Sequence, residues 1–204
     1  MARGSFKRKT YDEVVSVPRK TKKPVARRIG TSKAAIRRGF KSPKWFNAIP
    51  YGSHGSNPTQ KRFWKLTSDI VRISDFHKYG GSCVSCSTQF STYQEGHAGH
   101  FKAYGACNSY FKFNRKNIAL QCPHCNHIDD GQIGYRFGNE LKKRHGDDIL
   151  DWIMQEDGRH IGMKMENFEI VPMVEKLISL VDGLPEQPDY WRELKSRYGE
   201  LPTT

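Results

Sequence analysis

The sequence predicts a small α+β chain with flanking helices, a cysteine-clamped centre and a disordered basic N-terminal arm. Three observations point there: two Cys-x-x-Cys pairs, positive charge confined to one end, and helical periodicity on both sides of the cysteines. Of 204 residues, 36% are hydrophobic, and the mean hydropathy is −0.74. Such a chain buries little apolar surface, so a metal cross-link would compensate.

The elements follow in order. Residues 1–48 carry 15 Lys and Arg against only Asp12 and Glu13, which accounts for the whole net charge of +13. A basic arm on a neutral body predicts a polyanion partner, most simply DNA or RNA. Residues 1–58 read as arm and linker, with Arg37 and Arg38 in a helical turn (32–39) suited to a phosphate backbone, and a linker from Pro50 to Pro58. Residues 60–78 read as an amphipathic helix: Phe63, Leu66, Ile70 and Ile73 share one face, and Gly80-Gly81 stops it. Residues 87–121 read as β-hairpin and loop, including a Ser109–Phe113 alternation. Ile133, Phe137 and Leu141 predict a helix ending at Gly146, with Asp129 and Asp130 supporting its start. Shorter helices are predicted over Asp147–Gln155, over Phe168–Val181 with Pro172 in its first turn, and over Pro188–Tyr198. The predicted division is arm 1–58, zinc-bound domain 59–157 and C-terminal helical extension 158–204.

The start, Met1–Lys7, lacks the apolar run of a secretory signal, and no stretch reaches the ~20 apolar residues of a membrane span. The expected compartment is cytoplasmic, where paired cysteines mean metal more often than disulfide. Cys83-Val84-Ser85-Cys86 and Cys122-Pro123-His124-Cys125 use four of the five cysteines. They predict one structural zinc, because zinc takes four thiolates and each hairpin offers two. A redox pair would need only one such motif. Cys107 is left over and reads as a small half-buried side chain. A four-cysteine zinc leaves no position for water, so catalysis would need a second set of residues.

The segments Cys-Val-Ser-Cys (83–86), Ala-Gly-His-Phe (98–101), Phe-Lys-Phe-Asn-Arg-Lys-Asn-Ile (111–118), Gln-Cys-Pro-His-Cys-Asn (121–126) and Tyr-Arg-x3-Glu-Leu (135–141) carry a resemblance. From Trp64 to about Trp152 the chain resembles the NinG (Rap) recombination-nuclease family of lambda-like phages, relatives of the HNH, or ββα-metal (His-Me finger), endonucleases. The resemblance spans roughly 90 of the 204 residues. It implies a ββα-metal core, a DNA endonuclease acting on branched recombination intermediates, and a phage origin in a bacterial cytoplasm. It also implies a homodimer and recombination proteins as partners.

It further implies roles. His100 matches the general base, Asn117 the asparagine that fixes the loop carrying that base, and Asn126 a ligand to a catalytic divalent ion, magnesium or manganese or another ion. The family's Asp-Ala-Gly-His is His97-Ala98-Gly99-His100 here, so the second metal ligand is either His97 with a softer ion or nearby Glu95. Glu95 and His97 would share a strand face and His100 the other, unless Gly99 kinks the strand. Lys102, Lys112, Arg115 and Lys116 surround the site and suit a phosphodiester backbone. His54, His77, His145 and His160 read as surface or core histidines, and His124 and His127 as minor candidates for touching metal or phosphate. Two other readings stay open: a non-catalytic zinc-ribbon nucleic-acid binder, and a non-specific or homing HNH endonuclease.

Overall fold

A computed structural model describes residues 42–128, 130–159, 161 and 165–199. Arg37, Arg38 and the turn expected at 32–39 lie outside the described residues, as do Asp129 and His160. The described elements are α1 (Lys44–Ala48), α2 (Pro58–Lys78), β1 (His97–His100), β2 (Ile118–Gln121), α3 (Pro123–His127), α4 (Gly131–His145), α5 (Ile149–Arg159), α6 (Asn167–Asp182) and α7 (Asp189–Tyr198). The architecture is a helix-rich α+β arrangement around one antiparallel strand pair.

Helix α2 is the spine. Asn57 caps it by accepting from the Gln60 amide at 2.9 Å, and Pro58 opens it where no intrahelical N–H is needed. Its apolar face, with Phe63, Leu66 and Ile70, enters a first core shared with Ile170, Val174 and Ile178 of α6 and Trp191 of α7. Gly80 and Gly81, at φ 72° and 62°, turn the chain out of the helix as expected.

The strands pair with His97 opposite Gln121 and His100 opposite Ile118. Every residue of β2 is buried. Ile118 joins the first core, while Ala119 joins a second with Phe111, Phe137, Leu141, Ile149 and Ile153. Helix α4 is capped at its start by Asp130, whose Oδ1 accepts from the Gln132 amide at 2.8 Å, and at its end by Gly146, φ 98°. The helices expected after it are present with small shifts in their ends. Pro172 is the sixth residue of α6 rather than part of its first turn.

Two expectations are corrected. The segment before Pro58 is not a free linker. Trp45, Phe46 and Ile49 are buried in the first core, the Gly52 amide donates to Lys61 O at 2.9 Å, and Trp64 Nε1 donates to Ser53 Oγ at 3.2 Å. A Cβ at Gly52 would stand 2.7 Å from Trp64 Cδ1, so glycine there permits the close approach. The packed body therefore begins before residue 58. The Ser109–Phe113 alternation is also not a strand but a 3₁₀ turn, Phe111–Phe113. Asn108 Oδ1 accepts from the amides of Tyr110 and Phe111, both at 2.9 Å, and curls the chain. The two phenylalanines then enter different cores.

Asp157 of α5 ties the loop after β1 to the helices. It pairs with Lys102 Nζ at 2.5 Å and accepts from the Asn108 amide and side chain, both at 2.8 Å. Asp157→Ala strands these donors and is expected to cost ~2–4 kcal/mol in urea unfolding. Asp157→Asn, which keeps an acceptor oxygen, should cost clearly less. Equal losses would show that the acceptor geometry does not matter.

Candidate functional site

The cysteine pairs fold into two facing knuckles. In the first, the Cys83 amide donates to Thr88 O and the Ser87 amide to Cys83 O, with Ser87 in the left-handed region at φ 61°. In the second, Pro123 starts α3 and the Cys125 amide donates to Cys122 Sγ at 3.3 Å. The four cysteine sulfurs all lie within 4.8 Å of one another, and Cys86 Sγ stands 3.7 Å from Cys122 Sγ. A tetrahedron with Zn–S bonds of ~2.3 Å has edges of about 3.8 Å, so the cluster fits a structural metal such as zinc. Burial would raise the Cys86 thiol, but hydrogen bonds from Thr88, Cys83 and Cys125 together outweigh it and bring it down to about 6. Four thiolates this close repel one another unless a cation lies among them. Cys107 stands apart. It donates to Lys102 O at 3.1 Å, and burial pushes its thiol up to about 11.

Between the knuckles, β1 carries the histidines. His100 is packed among rings: it stacks on Trp64 at 4.9 Å and 19°, with Tyr104 at 5.5 Å and His54 at 6.2 Å. Its Nε2 lies 2.8 Å from the Lys112 carbonyl oxygen. A carbonyl only accepts, so Nε2 carries the proton and Nδ1 keeps its lone pair. Burial holds the ring's pKa down at about 4; the Lys112 carbonyl opposes this, and the nearby His54 and Lys112 charges add to it. His100 is thus neutral at cellular pH.

Asn117 is wholly buried. Its Oδ1 accepts from the Lys102 amide at 2.8 Å, and its Nδ2 donates to Lys102 O at 3.1 Å. Its own carbonyl accepts from the Phe101 amide at 2.9 Å. It therefore fixes the backbone just after His100.

Asn126 ends the second knuckle and lines two adjoining clefts. One, of about 270 Å³, it shares with His100, Gln121, His127 and Asp130. The other, of about 430 Å³, it shares with His97, His127, His54 and Trp64. Asn126 Nδ2 lies 3.2 Å from His97 Nδ1, and the His97 and His127 rings are 5.7 Å apart. Gly99 does not kink the strand, whose register is regular. A Cβ there would meet Gln121 Oε1 at 2.0 Å and Asn126 Oδ1 at 3.0 Å, so glycine admits both side chains.

Other expected residues are placed differently. Glu95 lies in the 3₁₀ turn Tyr93–Glu95, ahead of β1, and accepts from the Ser91 amide at 3.1 Å. The shared strand face that would have joined it to His97 does not form. Lys102 is committed to Asp157 rather than offered to a ligand. Lys112 lies over the Tyr104 ring at 4.5 Å, and Lys116 over Trp152 at 4.4 Å. Arg115 and Lys116 are exposed. Residues that the sequence did not bring to the site are His54, which reads there as a linker histidine, Trp64, which reads only as helix stripe, and Asp130, which reads only as a helix cap. The Pro/Gly punctuation around His54 argued against packing, and contacts across 46 positions leave no local signal.

The fold and site define an α+β protein with a four-cysteine cluster that could hold a metal beside a histidine–asparagine cleft. A family profile described as Bacteriophage Lambda NinG protein matches residues 51–176, and the chain belongs to the NinG family, which makes it a phage recombination-related protein. No curated protein and no solved structure matches the chain. Among the described residues, no helix is long and apolar enough to cross a membrane.

Elemental analysis of the purified chain is expected to give one zinc per molecule. Cys125→Ala should lose it and unfold the segment between the knuckles, because zinc binding of ~10–16 kcal/mol is coupled to folding. Cys107→Ala should keep the metal; its loss would show that the fifth cysteine is a ligand.

Proposed function

We propose that this protein is a metal-dependent DNA endonuclease acting on branched recombination intermediates. On this reading β1, β2 and the following helices form a ββα-metal core. The observation that carries it is the state of His100: a neutral imidazole with Nε2–H tied to a backbone carbonyl, in the cleft that Asn126 also lines. That arrangement suits a general base, with Nδ1 taking a proton from the water that attacks phosphorus. Trp64 holds the ring against rotation, and Asn117 holds the loop that follows it.

The donors near Asn126 test the fit of a second metal. His97 and His127 offer nitrogen, Asn126 offers an amide oxygen, and Asp130 is a carboxylate lining the same cleft as His100. Among the described residues only the four cysteines are close enough together to hold an ion, so His97, His127 and Asp130 would have to draw together around one. By donor type alone the set suits a divalent ion that accepts nitrogen, such as manganese, better than magnesium. A bound ion would neutralise a phosphate oxygen and steady the leaving 3′ oxygen. Products would carry 5′-phosphate and 3′-hydroxyl ends. The arm would add salt-sensitive, sequence-independent affinity. Cutting both strands at a junction would require two such sites, hence a homodimer working with other recombination proteins. The imidazole of His97, where the family pattern has aspartate, favours the second reading, a non-catalytic DNA binder.

His100→Ala is expected to lower nicking of a four-way junction in manganese by about 10²–10⁴-fold while leaving gel-shift affinity nearly unchanged. Equal cleavage by mutant and wild type would exclude this base. Preference for a linear duplex of the same sequence would exclude the recombination role.

The pH dependence follows from the lowered pKa. The ring titrates near 6.5 when free and at about 4 in the fold, so its neutral form is fully present above 6.5 and lost only as pH falls through about 4. The His100-dependent acid limb of the rate profile should therefore lie below 6.5. A limb above 7 would point to another base.

A further inference from the structure

A cavity wider than either histidine cleft lies elsewhere in the described residues. It has a volume of about 710 Å³, within the ~300–1,000 Å³ span of ligand sites, and lies among α2, the turns before β2, α4, α5 and α6. Its floor is apolar and aromatic, with Phe113, Ile118, Trp152 and Leu177. Its rim is cationic, with Lys78, Arg115, Lys116 and Lys176, all exposed.

One acidic residue lines it, Asp75, and that carboxylate is already engaged. It accepts from Arg144 Nη1 and from the Leu120 amide, both at 2.8 Å. Arg144 is itself a wall of the cavity. Its side chain is 5% exposed, its guanidinium lies 3.8 Å from the Tyr79 ring centroid, and its buried Nε makes no hydrogen bond. The cavity thus offers apolar surface inside, with Lys116 lying over the Trp152 ring at 4.4 Å, and at its mouth cations that no ion pair among the described residues neutralises.

We propose that this cavity takes an unpaired nucleotide of a DNA strand, with its base against the Phe113–Trp152 floor and its phosphates at the lysine and arginine rim. Charge complementarity selects the occupant. An apolar helix of a partner protein would fill the floor but bury four cations without counter-charge, whereas a single strand supplies both a π-face and phosphates. A duplex hides its base faces and would meet only the rim. An exposed base also matches a branched substrate, so the inference deepens the endonuclease reading and rests on it.

The connection to the histidine cleft is covalent and short. Lys112 O holds His100 Nε2, and the next residue, Phe113, is cavity floor. Ile118, also floor, is the strand partner of His100. An occupant therefore bears directly on the segment that orients the proposed base.

The test is photocrosslinking of full-length protein to a four-way junction carrying 5-iododeoxyuridine in an unpaired tract at the branch, without added divalent ion. Peptide mapping is expected to place the crosslink at Trp152, Phe113 or Tyr79. The double variant Lys78→Glu/Lys176→Glu should lower its yield by about tenfold while keeping one zinc per chain. Crosslinks that map only outside the cavity, or an unchanged yield in the variant, would overturn the proposal. If the variant loses zinc, the map on the unsubstituted protein decides alone. Failure of the cleavage assay with a crosslink at Trp152 would overturn the nuclease reading and leave the nucleotide site standing. Cleavage with no crosslink there would do the reverse.

Discussion

Four cysteine sulfurs within 4.8 Å of one another set the geometry on which the rest of the centre depends. They join the turn after α2 to the turn after β2, closing a loop that contains both strands and every proposed catalytic residue. The strands themselves are only His97–His100 and Ile118–Gln121, and an isolated two-stranded hairpin is marginal in water. A structural zinc contributes ~10–16 kcal/mol of coupled binding energy, as much as the whole stability of a typical domain at ~5–15 kcal/mol. A zinc held by the four sulfurs would account for how so short a sheet keeps a fixed register, and it would have no coordination position left for water.

Around this clamp, burial does two jobs. Packing against Trp64 and Tyr104 immobilises His100, and the same packing keeps it neutral by penalising the imidazolium. The Lys112 carbonyl then chooses the tautomer. On the proposed reading, a base so far depressed is weak, and phosphates entering the cleft would raise its affinity for a proton. Asn117 acts one step further out, using a buried amide to hold both polar groups of Lys102.

Much of the fold was legible because its signals are local. The period of Phe63, Leu66, Ile70 and Ile73 marks α2, Gly80-Gly81 and Gly146 mark helix ends, and cysteine spacing marks the knuckles. Asn126 and His100 were legible as a pair only through their place in a family pattern. The failures share one cause. Trp45, Phe46 and Ile49 sit in a window dominated by charge, and their partners lie on α2 and α7. The Ser109–Phe113 alternation was a true period of two, but it served two cores instead of one sheet face.

By itself, the sequence determined the longer helices, the cysteine pairing that gathers four sulfurs and the location of charge, since each depends on side-chain spacing along one segment. Only the tertiary structure decided which side chains meet. It brought His54 and Trp64 to His100, took Lys102 away to Asp157, and left Glu95 to cap its own turn. It also formed the basic-rimmed cavity from segments between residues 63 and 177. These contacts are settled by packing and desolvation across long stretches of chain. Neither quantity exists until the helices close on the clamped strand pair.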